Sequence, residues 1–431
     1  MDSFVVLGDI CYRKDPQDLY TGQDQYLVCV DGKVEGVYAQ LPEQYRALKL
    51  YDYRGKLVIP GLIDLHIHAP QYAYRGTGMD LELLDWLNQR TFPEESRYED
   101  LGYAHRAYEI FAEELKNGAT TRACVFGTLH VPATELLMDL LEETGLKTFV
   151  GKVNMDRNSP TYLTEKNAEE SAENTRRWIE DCRGKYRNTR PILTPRFTPS
   201  CTDGLMFRLG ELQREYSLPV QSQLSENLSE IAWVRELCPE SSCYGDCYDQ
   251  FGLFGGAVPT IMAHCVYSDE TERKLMKERG VFIAHCPESN ANLSSGIAPI
   301  RQYLREGQRI GLGSDVAGGS DESMFRAMAE AVKVSKLRWR LIDQKDAPLS
   351  AAEAFYMATK GGGSFFGKVG SFEEGYEFDA VVLDDSRLES SRQMSVKDRL
   401  ERMIYLADER EVKAKYIRGN KIISNSRAQC G

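Results

Sequence analysis

The pattern of apolar and polar positions divides the chain into three parts. From about residue 60 to about residue 366, short apolar runs alternate with longer amphipathic stretches, whereas short strand-like runs occupy both ends. Alternation of strand and helix that repeats about eight times predicts an α/β fold of the TIM type, a (β/α)8 barrel. A doubly wound open sheet is the alternative, but no glycine-rich nucleotide turn follows the first strand.

The apolar runs of the middle part have the length of buried parallel strands. We expect these strands at 62–68, 120–126, 147–153, 191–197, 218–224, 260–265, 281–286 and 310–316. Helices are expected between them at 103–117, 162–181, 203–216, 268–279 and 322–340. Gly118 follows the first of these helices and has the character of a helix stop.

The two ends predict a smaller β domain. Asp31 and Gly32 lie between alternating apolar residues, which is a strong hairpin signal. Further strands are expected at 4–10, 56–65, 370–372, 377–383 and 412–423, the last with a turn at Gly419-Asn420. Two strand-rich ends can pair with each other. We therefore expect a composite β-sandwich domain from 1–59 and 367–431 beside a barrel at 60–366.

Charge and composition narrow the classes of partner. The formal net charge is −12, and such a surface repels phosphate backbones, so nucleic acid is a poor candidate partner and we expect none. The chain contains no run of about 18 apolar residues, and we expect no membrane span. The first residues lack a basic segment and a cleavage site, which predicts a cytoplasmic protein. The 11 cysteines are then reduced thiols.

Three of the cysteines lie close together in sequence, at Cys238, Cys243 and Cys247. Their spacing matches none of the usual zinc-binding patterns and lacks a fourth ligand nearby. We expect them to be thiols of a loop or of the core.

His66 and His68 end the first strand of the middle part, separated by Ile67. Side chains at i and i+2 of a strand lie on the same face, so the two imidazoles can bind one zinc, iron or nickel ion. A single His-x-His pair also describes two polar residues at a strand end. The pattern gains weight because other polar residues end the later strands, at Arg196, Gln223 with Glu226, His264, His285 and Asp315.

In a barrel, the carboxyl ends of the strands carry the chemistry. Four of the six histidines lie there, and the remaining two, His105 and His130, lie in a helix and a loop where surface roles are expected. Such a concentration of histidine at one layer favours a metal site.

Three of these residues have both a chemical and a structural interpretation. Asp315 is a candidate metal ligand that could also accept a proton from water, and the alternative is that it caps the N-terminus of a helix. His264 suits a ligand or a partner of the attacking hydroxide, and the alternative is a hydrogen-bonded core histidine. Glu226 suits proton transfer to a ring nitrogen and a leaving amine, and the alternative is a solvated carboxylate at a helix start.

Longer motifs carry a family resemblance. The segments PGLIDLHIH and GLGSDV, with the strand-end His264, resemble the amidohydrolase superfamily of metal-dependent barrels. HAPQY, LLDWLNQRTFPEE, TPRFTPSC, QSQLSEN, AHC and HCPESNANLSSG are similar to the guanine deaminase family within it. The resemblance covers almost the whole chain.

The resemblance implies hydrolysis of guanine to xanthine and ammonia by a homodimer with one zinc ion per chain, Fe²⁺ being the alternative ion. It places the metal ligands at His66, His68 and Asp315, the hydroxide-orienting histidine at His264 and the proton-transferring carboxylate at Glu226. It places purine contacts at Gln71, Arg196 and Phe197, with Trp86 and Phe92 near the pocket, and Gln223, Glu226 and Asp315 also facing the substrate. Donor and acceptor atoms on Gln71, donors on Arg196 and the ring of Phe197 suit a purine.

Gln223 departs from the family pattern, which has a metal-binding histidine at this position. An amide is a weaker zinc ligand than an imidazole, so we expect weakened metal binding and activity. Two other functions stay open, namely deamination of a related heterocycle such as a pterin or another aminopurine, and purine binding without catalysis. The cytidine-type zinc deaminases are excluded because the chain has no H-x-E…P-C-x-x-C motif.

Overall fold

The computed structural model describes residues 3–345 and 347–424, in which parallel strands alternate with helices and both ends contribute to a separate sheet. The strands are, in chain order, β1 Phe4–Arg13, β2 Leu19–Val30, β3 Lys33–Tyr38, β4 Lys49–Pro60, β5 Leu62–His68, β6 Thr120–Phe126, β7 Lys147–Gly151, β8 Val153–Asn154, β9 Thr189–Pro191, β10 Thr194–Pro195, β11 Val220–Leu224, β12 Thr260–His264, β13 Phe282–His285, β14 Arg309–Leu312, β15 Ala380–Leu383, β16 Val412–Ile417 and β17 Asn420–Ser424.

The helices lie mostly between the strands of the middle part. They are α1 Leu83–Trp86, α2 Phe92–Ser96, α3 Leu101–Asn117, α4 Val131–Thr144, α5 Ala168–Cys182, α6 Asp203–Tyr216, α7 Leu228–Leu237, α8 Asp246–Asp249, α9 Glu270–Arg279, α10 Pro287–Asn292, α11 Ile300–Glu306, α12 Met324–Leu341, α13 Ala351–Tyr356 and α14 Val396–Leu406. The predicted mixed α/β class is confirmed. Helix α14 was missed because the C-terminal part was predicted to be strand-rich.

The middle strands form parallel sheets in the orders β5-β6-β7-β9 and β11-β12-β13-β14, with a short pair between β8 and β10. Every residue of β5 and β6 is buried, as expected for parallel strands that are covered on both faces. The predicted strand at 191–197 is wrong in its continuity, since β9 ends at Pro191 and β10 at Pro195. Proline has no N–H to donate to a sheet, so it interrupts a strand.

Strands from both ends of the chain share one seven-stranded sheet, in the order β17-β16-β15-β4-β1-β2-β3. The predicted hairpin is confirmed, because β2 and β3 pair across Asp31 and Gly32, whose φ angles of 50° and 78° suit a tight hairpin turn. The sandwich is not confirmed, because this pairing places all seven strands in a single hydrogen-bonded sheet.

The boundary between the two sheets lies at Gly61. The sequence predicted one strand over 56–65, and this is wrong: β4 ends at Pro60 in the seven-stranded sheet, and β5 begins at Leu62 in a parallel sheet. A Cβ at Gly61 would lie 2.2 Å from Thr121 Oγ1, so the chain can pass from one sheet to the other here only without a side chain.

The strands predicted at 370–372 and the turn at Gly419-Asn420 also differ from the structure. The segment 370–372 is irregular, and the turn between β16 and β17 is formed by Arg418 and Gly419, which have φ angles of 50° and 76°. Among the described residues, no helix is both long and apolar enough to cross a membrane.

Candidate metal and substrate site

The carboxyl ends of β5 and β14 bring three ligand-type side chains together. His66 Nε2 lies 3.1 Å and His68 Nε2 lies 3.3 Å from the same oxygen, Oδ1 of Asp315. The two imidazole Nε2 atoms are 3.2 Å apart. All three residues are buried, and their ligand atoms have the mutual spacing of groups that hold one metal ion. The structure thus brings His66, His68 and Asp315 together.

The protonation of these groups suits a cation. Burial lowers the pKa of His66, and it lowers the pKa of His68 to about 4, which favours the neutral imidazoles that bind metal ions. Burial alone would raise the pKa of Asp315, but its contacts with the two histidines hold it well below its usual range. Two neutral imidazoles around a carboxylate form the ligand set of a divalent transition metal. The residues therefore fit a metal ion.

His264 and Cys286 form a second group around Asp315. Burial raises the pKa of the Cys286 thiol well above its usual range, so this sulfur stays protonated and is a poor ligand. The His264 ring is held by its Nδ1, which lies 2.9 Å from Oδ1 of Asn290. An N–H on Nδ1 that donates to this oxygen leaves Nε2 as an acceptor, 3.8 Å from Asp315 Oδ2.

Glu226 lies beside His264, with Oε2 3.4 Å from the Nε2 of that ring. Ser295 donates a hydrogen bond of 2.9 Å to the other oxygen, and the Glu226 amide donates to Glu230. Burial raises the pKa of Glu226 to about 8, and the Asp315 carboxylate adds to this shift. A carboxyl group in such surroundings can both take up and release a proton near neutral pH.

Gln223 extends from β11 to the edge of the histidine pair. Its Nε2 lies 3.4 Å from the Nε2 of His68. The oxygen and nitrogen of a glutamine amide are assigned from their contacts, and a half-turn of the amide would bring the oxygen towards the histidines. Gln223 therefore stands where a side chain can reach the same ion, with an amide oxygen as its only ligand atom.

The two polar residues expected to bind a purine are joined by a carboxylate that the sequence analysis did not single out. Gln71 Nε2 donates to Glu95 Oε1 at 2.9 Å, and Arg196 Nη1 donates to Glu95 Oε2 at 2.6 Å. Gln71 Oε1 also accepts from the amide of Ala317, at 3.2 Å. Gln71, Glu95 and Arg196 are each 2 % exposed, so this is a buried polar cluster with defined orientations.

The aromatic residues expected near the pocket surround this cluster only in part. The Phe92 ring lies under the Arg196 guanidinium, 5.2 Å from centre to centre. Trp86 packs on Tyr74 at 5.6 Å, and its buried Nε1 has no hydrogen-bond partner within the described part of the chain. Phe197 is buried and makes a T-shaped contact with Trp233, with the ring centres 6.5 Å apart.

The backbone is strained where the site residues stand. Ser225, His264, Cys265 and Asp315 all have positive φ, with values of 48°, 72°, 48° and 49°. Such conformations cost roughly 1–3 kcal/mol each for residues other than glycine and persist only where the surroundings impose them. Their concentration beside the cluster indicates a functional site.

Asp64 fixes the backbone beside the candidate metal ligands. Its carboxylate accepts from the amides of His66 and Ser314, at 3.0 and 3.1 Å, and thereby ties β5 to the segment after β14. Burial raises the pKa of Asp64 to about 7. Asp64 was not predicted as a site residue, although it lies two positions before His66 and so falls on the same face of the strand.

Other predicted residues lie outside the cluster. His285 is buried, and burial lowers its pKa to about 3. His105 is exposed on α3, whereas His130 is half-buried before α4. The three neighbouring cysteines, Cys238, Cys243 and Cys247, line a cavity of about 300 Å³ beside α7.

The sequence profile of the amidohydrolase family matches residues 57–422. The chain belongs to the amidohydrolase family. A guanine deaminase from C. acetobutylicum, solved with guanine in its active site, is 47 % identical and has a TM-score of 0.95, covering 98 % of this chain and 100 % of its own. A guanine deaminase of Mus musculus is 40 % identical over 379 residues, 85 % of this chain and 82 % of its own length.

A third relative of this amidohydrolase, the guanine deaminase of Dictyostelium discoideum, is 38 % identical over 408 residues, which is 93 % of this chain and 88 % of its own length. The resemblance to guanine deaminases that the sequence motifs indicated is confirmed. Asn290 and Ser295, which hold His264 and Glu226, lie within one of those motifs, and their residue type there was the signal that could have identified them.

Proposed function

We propose that this amidohydrolase hydrolyses guanine to xanthine and ammonia. Water adds to the carbon that bears the amino group, the C–N bond breaks, and the amine leaves with a proton as ammonia. The observation that carries the proposal is the match over nearly the full length to a guanine deaminase with guanine bound. The buried cluster of Gln71, Glu95 and Arg196 supports it, since these side chains offer the donors and acceptors that a purine edge needs.

His66, His68 and Asp315 would hold one divalent ion, with Gln223 as a weak fourth ligand through its amide oxygen. Zinc is the proposed ion and Fe²⁺ the alternative, because imidazole and carboxylate suit both. When bound, such an ion supplies a hydroxide-like water near neutral pH and polarises the substrate.

Glu226 moves the proton in this proposal. Its carboxylate takes one proton from the attacking water and passes it to the purine ring nitrogen. It then takes the second proton of that water, which remains on the added oxygen, and delivers it to the departing amine. His264 orients the attacking oxygen through Nε2, since Asn290 holds Nδ1. Asp315 would bind the ion, and its carboxylate can also accept a proton from the attacking water.

The purine would be bound by Gln71, Arg196 and Phe197. Arg196 donates to the carbonyl or ring nitrogen, and the Phe197 ring packs on the purine face. Trp86 offers an indole N–H that is buried and has no partner among the described residues, which suits a contact with the substrate. Gln223, Glu226 and Asp315 face the substrate from the metal side.

The experiment is ammonia release from guanine by the parent protein and by Arg196→Ala, compared with Arg177→Ala at an exposed position as a control. We expect Arg196→Ala to lose about 2–4 kcal/mol of transition-state stabilisation, because a buried acceptor loses its charged donor. Pterins and other aminopurines serve as competing substrates. A parent that releases ammonia faster from one of them than from guanine would replace guanine by that heterocycle.

The proposal extends to the architecture. We infer a (β/α)8 barrel at 60–366 with 1–59 and 367–431 as one β domain. Backbone hydrogen bonds between the two parallel sheets support this barrel. Leu193 and Val220 form a parallel β-bridge, and the amide of Asp315 donates to the backbone carbonyl of His66 at 2.8 Å. We also propose that the protein is a homodimer and that it is cytoplasmic. Sedimentation of the purified protein tests the dimer.

A further inference from the structure

We propose that Glu95, on α2, is a positioning and specificity-determining residue. It orients Gln71 and Arg196 and balances the charge of Arg196, so that the pocket prefers a neutral purine to an anionic one. The inference rests on the proposed function, because it assigns the purine to these two side chains. It adds a residue that itself need not touch the substrate.

The two oxygens of Glu95 have separate tasks. Oε1 accepts from Gln71 at 2.9 Å, and Oε2 accepts from Arg196 at 2.6 Å. The three residues come from different segments of the chain, and Glu95 is the group that both of the others contact. Because the carboxylate is buried and accepts both bonds at once, a shift of Glu95 would displace both purine-binding side chains together.

The amide of Gln71 is held in one orientation from both sides. Its Nε2 donates to Glu95, and its Oε1 accepts from the amide of Ala317 at 3.2 Å. A flipped amide would set its oxygen against a carboxylate and its NH₂ group against an N–H, which costs both bonds. Gln71 therefore offers one remaining N–H and one remaining lone pair in fixed directions, and the purine must match them.

Glu95 also balances the charge of Arg196. Arg196 is 2 % exposed, and Glu95 forms its ion pair. A buried guanidinium without a counterion would attract an anion strongly, whereas the neutral pair does not. Guanine is neutral near pH 7, but its product xanthine loses a proton more readily. A charge-balanced pocket therefore holds guanine and releases the xanthine anion.

Two variants separate the two tasks. Glu95→Gln keeps the reach of the side chain and removes the charge. Glu95→Asp keeps the charge and shortens the reach by one methylene. Glu94→Gln is the matched control. Glu94 lies next to Glu95, but its carboxylate accepts hydrogen bonds from Arg97 and Tyr103 and not from Gln71 or Arg196. Thermal melting of each variant precedes the kinetic work.

We expect the KM for guanine to rise about tenfold or more in both Glu95 variants, with a smaller change in kcat, because one charge-assisted bond is weakened or lost. Xanthine inhibition is then measured below and above the pKa of xanthine. Glu95→Gln should bind the xanthine anion more tightly than the parent does and neutral xanthine no more tightly. Glu95→Asp should keep the pH dependence of the parent.

The inference is overturned if the parent deaminates guanine and Glu95→Gln changes neither the KM for guanine nor xanthine inhibition. If Glu95→Gln does not fold, an unchanged KM in Glu95→Asp overturns it. If the parent releases no ammonia from guanine, the proposed function fails, and equilibrium dialysis of guanine and xanthine against parent and variants still decides the role of Glu95. A loss in Glu94→Gln as large as in Glu95→Gln would assign the effect to α2 as a whole.

Discussion

Gln223 places a neutral amide beside His68, 3.4 Å from the ring nitrogen. Imidazole and carboxylate oxygens bind zinc well, whereas an amide oxygen binds it weakly. In the proposed site, His66, His68 and Asp315 would still supply three strong ligands, which is enough for a catalytic zinc ion with water in the fourth position. The amide would then affect how tightly and how accurately the ion is held.

We predict that Gln223→His raises both the metal content and the release of ammonia from guanine, because imidazole fixes the position of the ion and positional error at the nucleophile is costly in rate. Metal per chain is measured by elemental analysis after dialysis against a chelator. Gln250→His, at an exposed position, is the control. If the parent already keeps a full complement of chelator-resistant metal and the variant gains nothing, Gln223 is not part of the metal site.

A substitution at Glu226 separates the effect on proton transfer from the effect on guanine binding. Glutamine has nearly the same shape, and its amide can still accept from Ser295, but it cannot exchange a proton near neutral pH. We predict that Glu226→Gln lowers kcat by about 10²–10⁴-fold while guanine binding, measured by dialysis, is retained. The exposed Glu236→Gln on α7 should match the parent. Turnover at the parent rate would assign the proton to another group.

At the scale of elements, the change of sheet at Gly61 decides how β4 and β5 are joined. We predict that Gly61→Ala destabilises the protein by about 1–3 kcal/mol, because the new methyl group must displace the Thr121 side chain or the backbone. Chemical denaturation gives the free energy of unfolding. Gly118→Ala is the control, since its Cβ would meet its nearest atom at 3.6 Å, an ordinary contact. Equal stability of the two variants would contradict the close approach at Gly61.

For the whole molecule, Arg122 of β6 connects the parallel sheet β5-β6-β7-β9 to the seven-stranded sheet. Its Nε donates to Asp379 at 2.6 Å and its Nη2 to Glu377 at 2.5 Å, and Asp379 is fully buried. Removal of one partner of a buried pair leaves a charge without compensation. The two sheets are thus held against each other partly by one guanidinium.

We predict that Arg122→Met lowers the free energy of unfolding by about 3–5 kcal/mol, as measured in urea. The comparison is Arg54→Met, which removes an exposed ion pair with Asp52 and should cost less than about 1 kcal/mol. A loss of similar size in both variants would show that the buried pair adds little to the connection of the sheets.

Several elements were predictable from sequence alone because their signals are local. The strand at 120–126 was predicted with the bounds of β6, since a short run rich in β-branched and apolar residues needs only its own residues to be recognised. Helix α6 matched its predicted bounds as well, and Thr202 caps it by accepting from Leu205. His66 and His68 were also predictable as a pair, because side chains two positions apart in a strand lie on the same face.

Apart from the metal ligands that the family resemblance implied, the sequence could not decide which distant groups meet. Apolar alternation does not say which strand a strand will pair with, so the passage from β4 to β5 and the single sheet of both ends became visible only in the tertiary structure. Glu95 and Arg196 are 101 positions apart, and nothing local distinguishes Glu95 from its neighbour Glu94. Residue type and spacing determined the candidate ligands, whereas packing determined which carboxylate is buried beside which cation, because that depends on contacts between segments remote in sequence.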